Sequence, residues 1–364
     1  MPNPRNPLRR TLALLAVLPV AAVLAACGSD GGSANASSEG GSGAPAELRL
    51  GYFANVTHAA ALIGVQEGYI ADELGEHTKL TTQVFNAGPD EVEALFAGGI
   101  DAAYIGPSPT VNAYGQSGGD ALRIIAGAAS GGAQLVVRNG INSAADLKGK
   151  TLASPQLGNT QDVALRTWLT DQGLKNSVDG GGDVTITPTP NSDIPNLFQS
   201  GQLDGAWVPE PTASLLVLER GGHVLVNEKD LWPEGQFVTT HLIVRTDFLE
   251  KHPDTVDALL RAHVRSVQFA GQDPEAAKKS VNAALDAAGG KSLSPEVLDR
   301  AWSELTVTYD PIASALKQSA ENGFTAGTTA KKVDLSGIYD LKPLNGILAD
   351  QGLQPVSAGG LGEQ

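Results

Sequence analysis

From residue 47 onward the chain alternates two hydrophobic rhythms. Short runs with crowded or alternating apolar residues, at 48–52, 80–85, 100–105, 122–126 and 134–138, read as strands. Between them lie stretches with apolar positions three and four apart, which read as helices. Residues 57–74 carry Ala61, Leu62, Val65 and Ile70 at that spacing. Residues 90–97 follow Pro89 and stop at Gly98 and Gly99, and a further helix runs from the Gly106-Pro107-Ser108-Pro109 turn to about Gln116. Strand–helix–strand alternation at this spacing predicts a parallel-rich sheet with helices on both faces.

A second set repeats the rhythm. Strands are expected at 151–154, 184–187, 203–208 and 224–226, with helices at 160–172, 193–199 and 212–219. One phrase occurs twice: Ala97-Gly-Gly-Ile-Asp-Ala-Ala-Tyr-Ile-Gly-Pro and Ser200-Gly-Gln-Leu-Asp-Gly-Ala-Trp-Val-Pro-Glu. Each set therefore holds a helix, a glycine stop, a buried strand and a proline-marked turn. Tyr104 and Trp207 occupy matching places in it and are expected to fill their cores. Two strands also look alike, Gln134-Leu-Val-Val-Arg and His241-Leu-Ile-Val-Arg, and they bracket the second set. They are read as the two crossings between lobes, running side by side as a hinge. After Thr246 the pattern turns helical and is expected to return to the first lobe. The resulting layout is lobe 1 at 47–135 and 241–345, lobe 2 at 136–240, and a loose tail at 346–364.

The chain ahead of residue 47 has a different composition. Arg5, Arg9 and Arg10 precede an apolar run from Leu12 to Leu24, too short for a comfortable membrane span. It ends in Leu24-Ala-Ala-Cys27-Gly, which resembles a bacterial lipobox, and Cys27 is the single cysteine of the chain. Residues 1–26 are thus expected to be an export signal and Cys27 a lipidation site. No disulfide can form within the chain. Residues 27–46 are rich in Gly, Ser and Ala and read as a flexible tether. The formal charge is −15, to which the three leader arginines contribute +3, so a processed chain would carry −18. That argues against nucleic acid or anionic headgroups as partners. A small anion is not excluded, because a strand running into a helix through a polar turn aims backbone N–H groups and the positive end of a helix dipole at one spot.

In that order and spacing the lipobox, Gly51-Tyr-Phe-Ala-Asn-Val-Thr-His-Ala, the Ala97-to-Pro107 phrase, Gly158-Asn-Thr-Gln-Asp and Val208-Pro-Glu-Pro resemble a family. It is that of the substrate-binding proteins of ABC importers, in the nitrate/sulfonate/taurine/bicarbonate group, most of all the aliphatic-sulfonate-binding lipoproteins. The resemblance covers roughly residues 48–270. It implies an α/β, type II periplasmic-binding-protein-like fold, with two sheets flanked by helices and joined by two hinge strands. It also implies a monomeric, lipid-anchored, extracytoplasmic protein that closes on a small anion and delivers it to a membrane permease.

A sulfonate needs neutral donors held in place. Four turns offer them: Asn55, Thr57 and His58 in the first, Gly106 and Ser108 in the second. Gln156, Gly158, Asn159, Thr160 and Gln161 come from the third, and Glu210 and Thr212 from the fourth, with Thr239 and Thr240 as weaker candidates. Thr57, Ser108 and Thr160 could equally be helix caps, since capping and anion binding use one geometry. Glu210 is the odd member. A carboxylate would repel the anion unless it faces away or the ligand also carries a cation, as taurine does. None of the four turns contains Lys or Arg, which points away from a doubly charged ligand. The competing reading is an enzyme on the same two-lobed scaffold, of the menaquinone-pathway or pyrimidine-precursor type. Against it, the sequence shows no nucleophile–base pair, no metal-spaced His/Asp/Glu cluster and no phosphate loop, so no cofactor or metal is expected.

Overall fold

The computed structural model describes residues 47–289 and 292–363. The expected export signal, the lipidation site Cys27 and the tether lie outside the described residues.

The chain builds two sheets, each with its own core. The first contains β1 (Glu47–Phe53), β2 (Lys79–Phe85), β3 (Ala102–Ile105) and β4 (Leu122–Gly131). The second contains β5 (Ala133–Val137), β6 (Thr151–Ser154), β7 (Thr185–Pro188), β8 (Gly205–Pro209) and β9 (His223–Asn227). The chain then returns through β10 (Val238–Arg245), β11 (Leu305–Val307), β12 (Tyr339–Asp340) and β13 (Gly362–Glu363) to the first sheet. The strand orders are β13-β12-β4-β10-β3-β1-β2, with β11 on β4, and β7-β6-β8-β5-β9.

Both sheets share one plan. A parallel trio (β2-β1-β3 in one, β7-β6-β8 in the other) is followed by an antiparallel strand, β10 or β5. The repeated phrase has the same job in each. Asp101 accepts the N–H of Arg49 at 3.0 Å and Asp204 accepts that of Thr151 at 2.9 Å, while the backbone N–H groups of Asp101 and Asp204 return to the same partners. Each carboxylate thereby pins the end of its parallel trio.

This plan corrects the hinge expectation. The two look-alike strands do not run side by side: β5 pairs with β8 and β9, and β10 with β3 and β4. They look alike because they hold equivalent places, with Leu135 opposite Trp207 and Leu242 opposite Tyr104. A strand buried on both faces in each sheet needs the same apolar run. The crossings come just before them, at Gly131 and Gly132 and between Asn227 and Val238. Both glycines have positive φ, 79° and 76°, which lets the backbone turn sharply there.

Burial follows the strand period of two. In β5, Leu135 and Val137 join a core with Leu165 and Trp207, while Val136 faces the opposite core with Phe198 and Val208. Tyr104 and Trp207 are fully buried. The helix Ala59–Gln66 is apolar all round and buried over its first six residues, packed between the sheet and the long helix Pro253–Gln272. The continuous helix expected at 57–74 is broken: Gly68 takes φ 75°, and a second helix restarts at Tyr69. The expected loose tail is also corrected. Lys342–Asp350 is a helix with Leu344 and Leu348 fully buried, and β13 pairs with β12, so the segment belongs to the first core. Leu344 and Leu348, one helical turn apart, are the signal for it. None of the helices among the described residues is long and apolar enough to cross a membrane.

Candidate functional site

The strand-to-helix turns at the carboxyl ends of both parallel trios meet in one cleft, where open α/β sheets bind ligands. Asn55, Thr57 and His58 follow β1, Gly106 follows β3, and Asn159, Thr160 and Gln161 follow β6. All seven line a single cavity. Thr239, one of the two weaker candidates, lines it too and donates its hydroxyl to the Gly131 carbonyl at 2.5 Å. Phe53, Asn191 and Pro209 complete the wall. Asn191 was missed by sequence reasoning. It lies between β7 and the helix Ile194–Gln199, so the same strand–turn–helix device could have marked it.

The Thr57 and Thr239 hydroxyls spend their protons inside the protein, but among the described residues other polar groups of the wall are held without a partner. Asn159 is the N-cap residue of helix Thr160–Asp171, yet its side chain accepts no capping bond. The Thr160 hydroxyl and the Asn191 Oδ1 are buried without partners among the described residues. Such groups are costly unless something satisfies them. The loop beneath them is fastened from below. Asp162, fully buried, accepts the Gly158 N–H at 3.0 Å, the Ser154 hydroxyl at 2.7 Å and Arg166 Nε at 2.9 Å. Its charge is matched by buried Arg166, so the turn is stiff before any ligand arrives. In the first turn, Thr57 donates to Asn55 Oδ1 at 2.6 Å.

His58 stacks on Phe53 with ring centroids 4.4 Å apart and accepts the Phe53 N–H on Nδ1 at 3.2 Å. The neutral ring must then carry its proton on Nε2, as a donor. Burial pushes its pKa down to about 3, so it stays uncharged through the physiological range. Affinity for an anion in this cleft should accordingly be flat between about pH 5 and about pH 8. Titration calorimetry across that range checks it, and a rise on acidification with a midpoint near the usual imidazole value would contradict the assignment.

The two faces of the cleft touch. Gly106, from the first lobe, lies so close to Thr160, from the second, that a Cβ on Gly106 would collide with its hydroxyl. Gln156 reaches across to Asp90 at 3.0 Å. Free space at the centre is about 10 Å³, roughly the room of one water, so the faces must part to admit anything larger.

Five expected residues and the weaker candidate Thr240 stand elsewhere; Thr212 is the first residue of helix Thr212–Glu219 and lies outside the cavity wall. Ser108 is the second residue of helix Pro107–Gln116, Gly158 is tied to Asp162, and Gln156 bridges the rim to Asp90; none of the three lines the cavity. Glu210 is buried away from the cavity and pairs with Arg300 at 2.9 Å, while it accepts the Ser214 N–H at 3.0 Å. Arg300 also donates to Gln134 at 2.7 Å and to the Ser214 hydroxyl at 2.8 Å. The charge of this acid is therefore compensated behind the cleft by Arg300. Desolvation nevertheless raises the Glu210 pKa above the ordinary carboxylate value.

The chain is similar to several known proteins. A Bacillus subtilis (strain 168) protein named for aliphatic sulfonates binding is 26% identical over 334 residues, 90% of this chain and 94% of its own length. The taurine-binding periplasmic protein of Escherichia coli (strain K12) is 30% identical over 187 residues, 50% of this chain and 55% of that protein. Among solved structures, the alkanesulfonate-binding protein SsuA from Xanthomonas axonopodis pv. citri bound to MOPS has the same fold. Its TM-score is 0.66 at 23% identity, covering 80% of this chain and 96% of that one. The model of the NMT1-like family matches residues 41–285, more than half of the sequence, and the chain belongs to that family.

Proposed function

We propose that the protein is the solute-binding component of an ABC importer, capturing a small, singly charged anion between its lobes and handing it to a membrane permease. The observation that carries this reading is the cleft itself. Turns from both sheets bring uncharged donors to one point, and no Lys, Arg, Asp or Glu lines it. A singly charged, weakly basic anion suits such a wall, because it needs hydrogen bonds and a helix N-terminus more than a counter-charge. Contacts from both lobes make closure depend on ligand, since only differential contacts shift such an equilibrium. An aliphatic sulfonate is the favoured ligand. Taurine is less favoured, since with Glu210 held by Arg300 no carboxylate lines the cavity to receive its ammonium. Lipidation of Cys27 would hold the protein at the outer face of the cell membrane.

Thermal melting of the chain starting after Cys27 tests the assignment. Methanesulfonate and ethanesulfonate should raise the melting temperature with the logarithm of concentration. Taurine, nitrate and bicarbonate should do so less. A shift with taurine alone would reverse the order of ligands, and no shift with any of these anions would overturn the anion reading.

A further inference from the structure

A second and larger cavity, about 770 Å³, lies beside the return crossing, away from the anion cleft. Its walls are the outer face of helix Thr160–Asp171, the segment 228–236 and the helix Ala313–Thr325. That volume falls within the range of small-molecule sites. Its chemistry is the reverse of the cleft's. Asp171, Glu228 and Glu234 line it, with no Lys or Arg, and none of the three is ion-paired among the described residues. Lys229, the nearest cation along the chain, turns instead to Glu304 at 3.5 Å.

Glu228 makes this more than a patch of acids. It is only 2% exposed, it accepts the indole N–H groups of Trp207, at 2.8 Å, and of Trp232, and burial pushes its pKa up to about 7. Burying a carboxylate without a counter-ion is costly, and a hydrogen bond from indole supplies no charge. Asp171 adds to the imbalance: it is the last residue of its helix, where the dipole already favours a cation. Two indoles, Trp168 and Trp232, stand in the wall among small, aliphatic and uncharged polar side chains. Trp168 leans on Trp207 with centroids 6.1 Å apart, and Trp232 is stacked on Phe237 at 5.5 Å. Carboxylates with indole faces in a roomy cavity match an alkylammonium group rather than a bare metal ion. In agreement, no His/Cys/Asp/Glu cluster of metal-binding geometry occurs among the described residues.

We propose that this cavity is a second ligand site, which takes an organic cation of the alkylammonium class between Glu228, Asp171 and the faces of Trp168 and Trp232. The site does not rest on the anion reading of the cleft.

Three of the four tryptophans of the chain border or touch it, so intrinsic fluorescence reports on it directly. Choline chloride and tetramethylammonium chloride would be titrated into the protein, against potassium chloride at equal ionic strength. A saturable change with the ammonium salts alone is expected. Glu228→Gln, which removes the charge at nearly constant shape and keeps one of the two indole hydrogen bonds, should weaken it about tenfold or more, and Asp171→Asn at the exposed rim should weaken it less. The same response to potassium chloride, no saturable response to either ammonium salt, or responses undiminished in both variants would each overturn the proposal. Sulfonate-induced melting shifts measured on the same samples report separately on the cleft.

Discussion

Gly106→Ala is expected to abolish ligand-induced closure while leaving the unliganded protein folded. Gly106 has φ −74°, an ordinary conformation for alanine, so the change adds no backbone strain. The added methyl would collide only across the cleft, with the Thr160 hydroxyl and close to the Thr160 Cβ at 3.4 Å; on its own side it meets the Thr239 carbonyl at 3.5 Å, an ordinary contact. Thr160 is β-branched and has few rotamers with which to move aside. With the lobes apart nothing resists the methyl, but on closing the two walls cannot meet. A loss of at least about 2 kcal/mol of binding energy, or thirtyfold in Kd, is a reasonable floor for such overpacking. Calorimetry with ethanesulfonate, paired with a melting curve without ligand, checks it. Unchanged affinity would mean that the Gly106–Thr160 contact plays no part in the bound state.

Replacing Arg300 is the second large effect, this time on stability. Arg300→Met leaves the fully buried Glu210 without its counter-charge and strips donors from Gln134 and Ser214. Breaking one half of a buried pair typically costs about 3–5 kcal/mol. Arg300 is itself 19% exposed, which places the expectation at the lower end of that range. Urea denaturation measures the loss. Because the damage is an uncompensated charge, adding Glu210→Gln to Arg300→Met should restore much of the stability. If the double variant is no better than the single one, the loss comes from packing and the electrostatic account fails.

Those two residues show where sequence reasoning reached its limit. The Gly106 turn was visible as a glycine and two prolines after a buried strand, and its place at the site followed from the strand–turn–helix device. Glu210 was visible for the same reason, but which way it faces could not be decided, because Arg300 lies 90 residues further on in a helix with no local signal of its role. Asn191 escaped because its turn carries neither a glycine nor a repeated phrase. The cavity around Glu228 could not be read at all, because its walls come from three segments separated by long stretches of chain.

Local rules were enough for much of this protein. The period of two and the period of 3.6 named the strands and helices. The repeated Ile/Leu-Asp phrase announced two sheets of one plan, and uncharged turn residues marked the cleft proposed to bind an anion. These are properties of neighbours along the backbone. Which sheet each look-alike strand enters, which acid meets which arginine, and which turns touch across the cleft are decided by contacts between residues 52 to 166 positions apart. Such contacts depend on how the layers pack, and only the folded molecule brings them together.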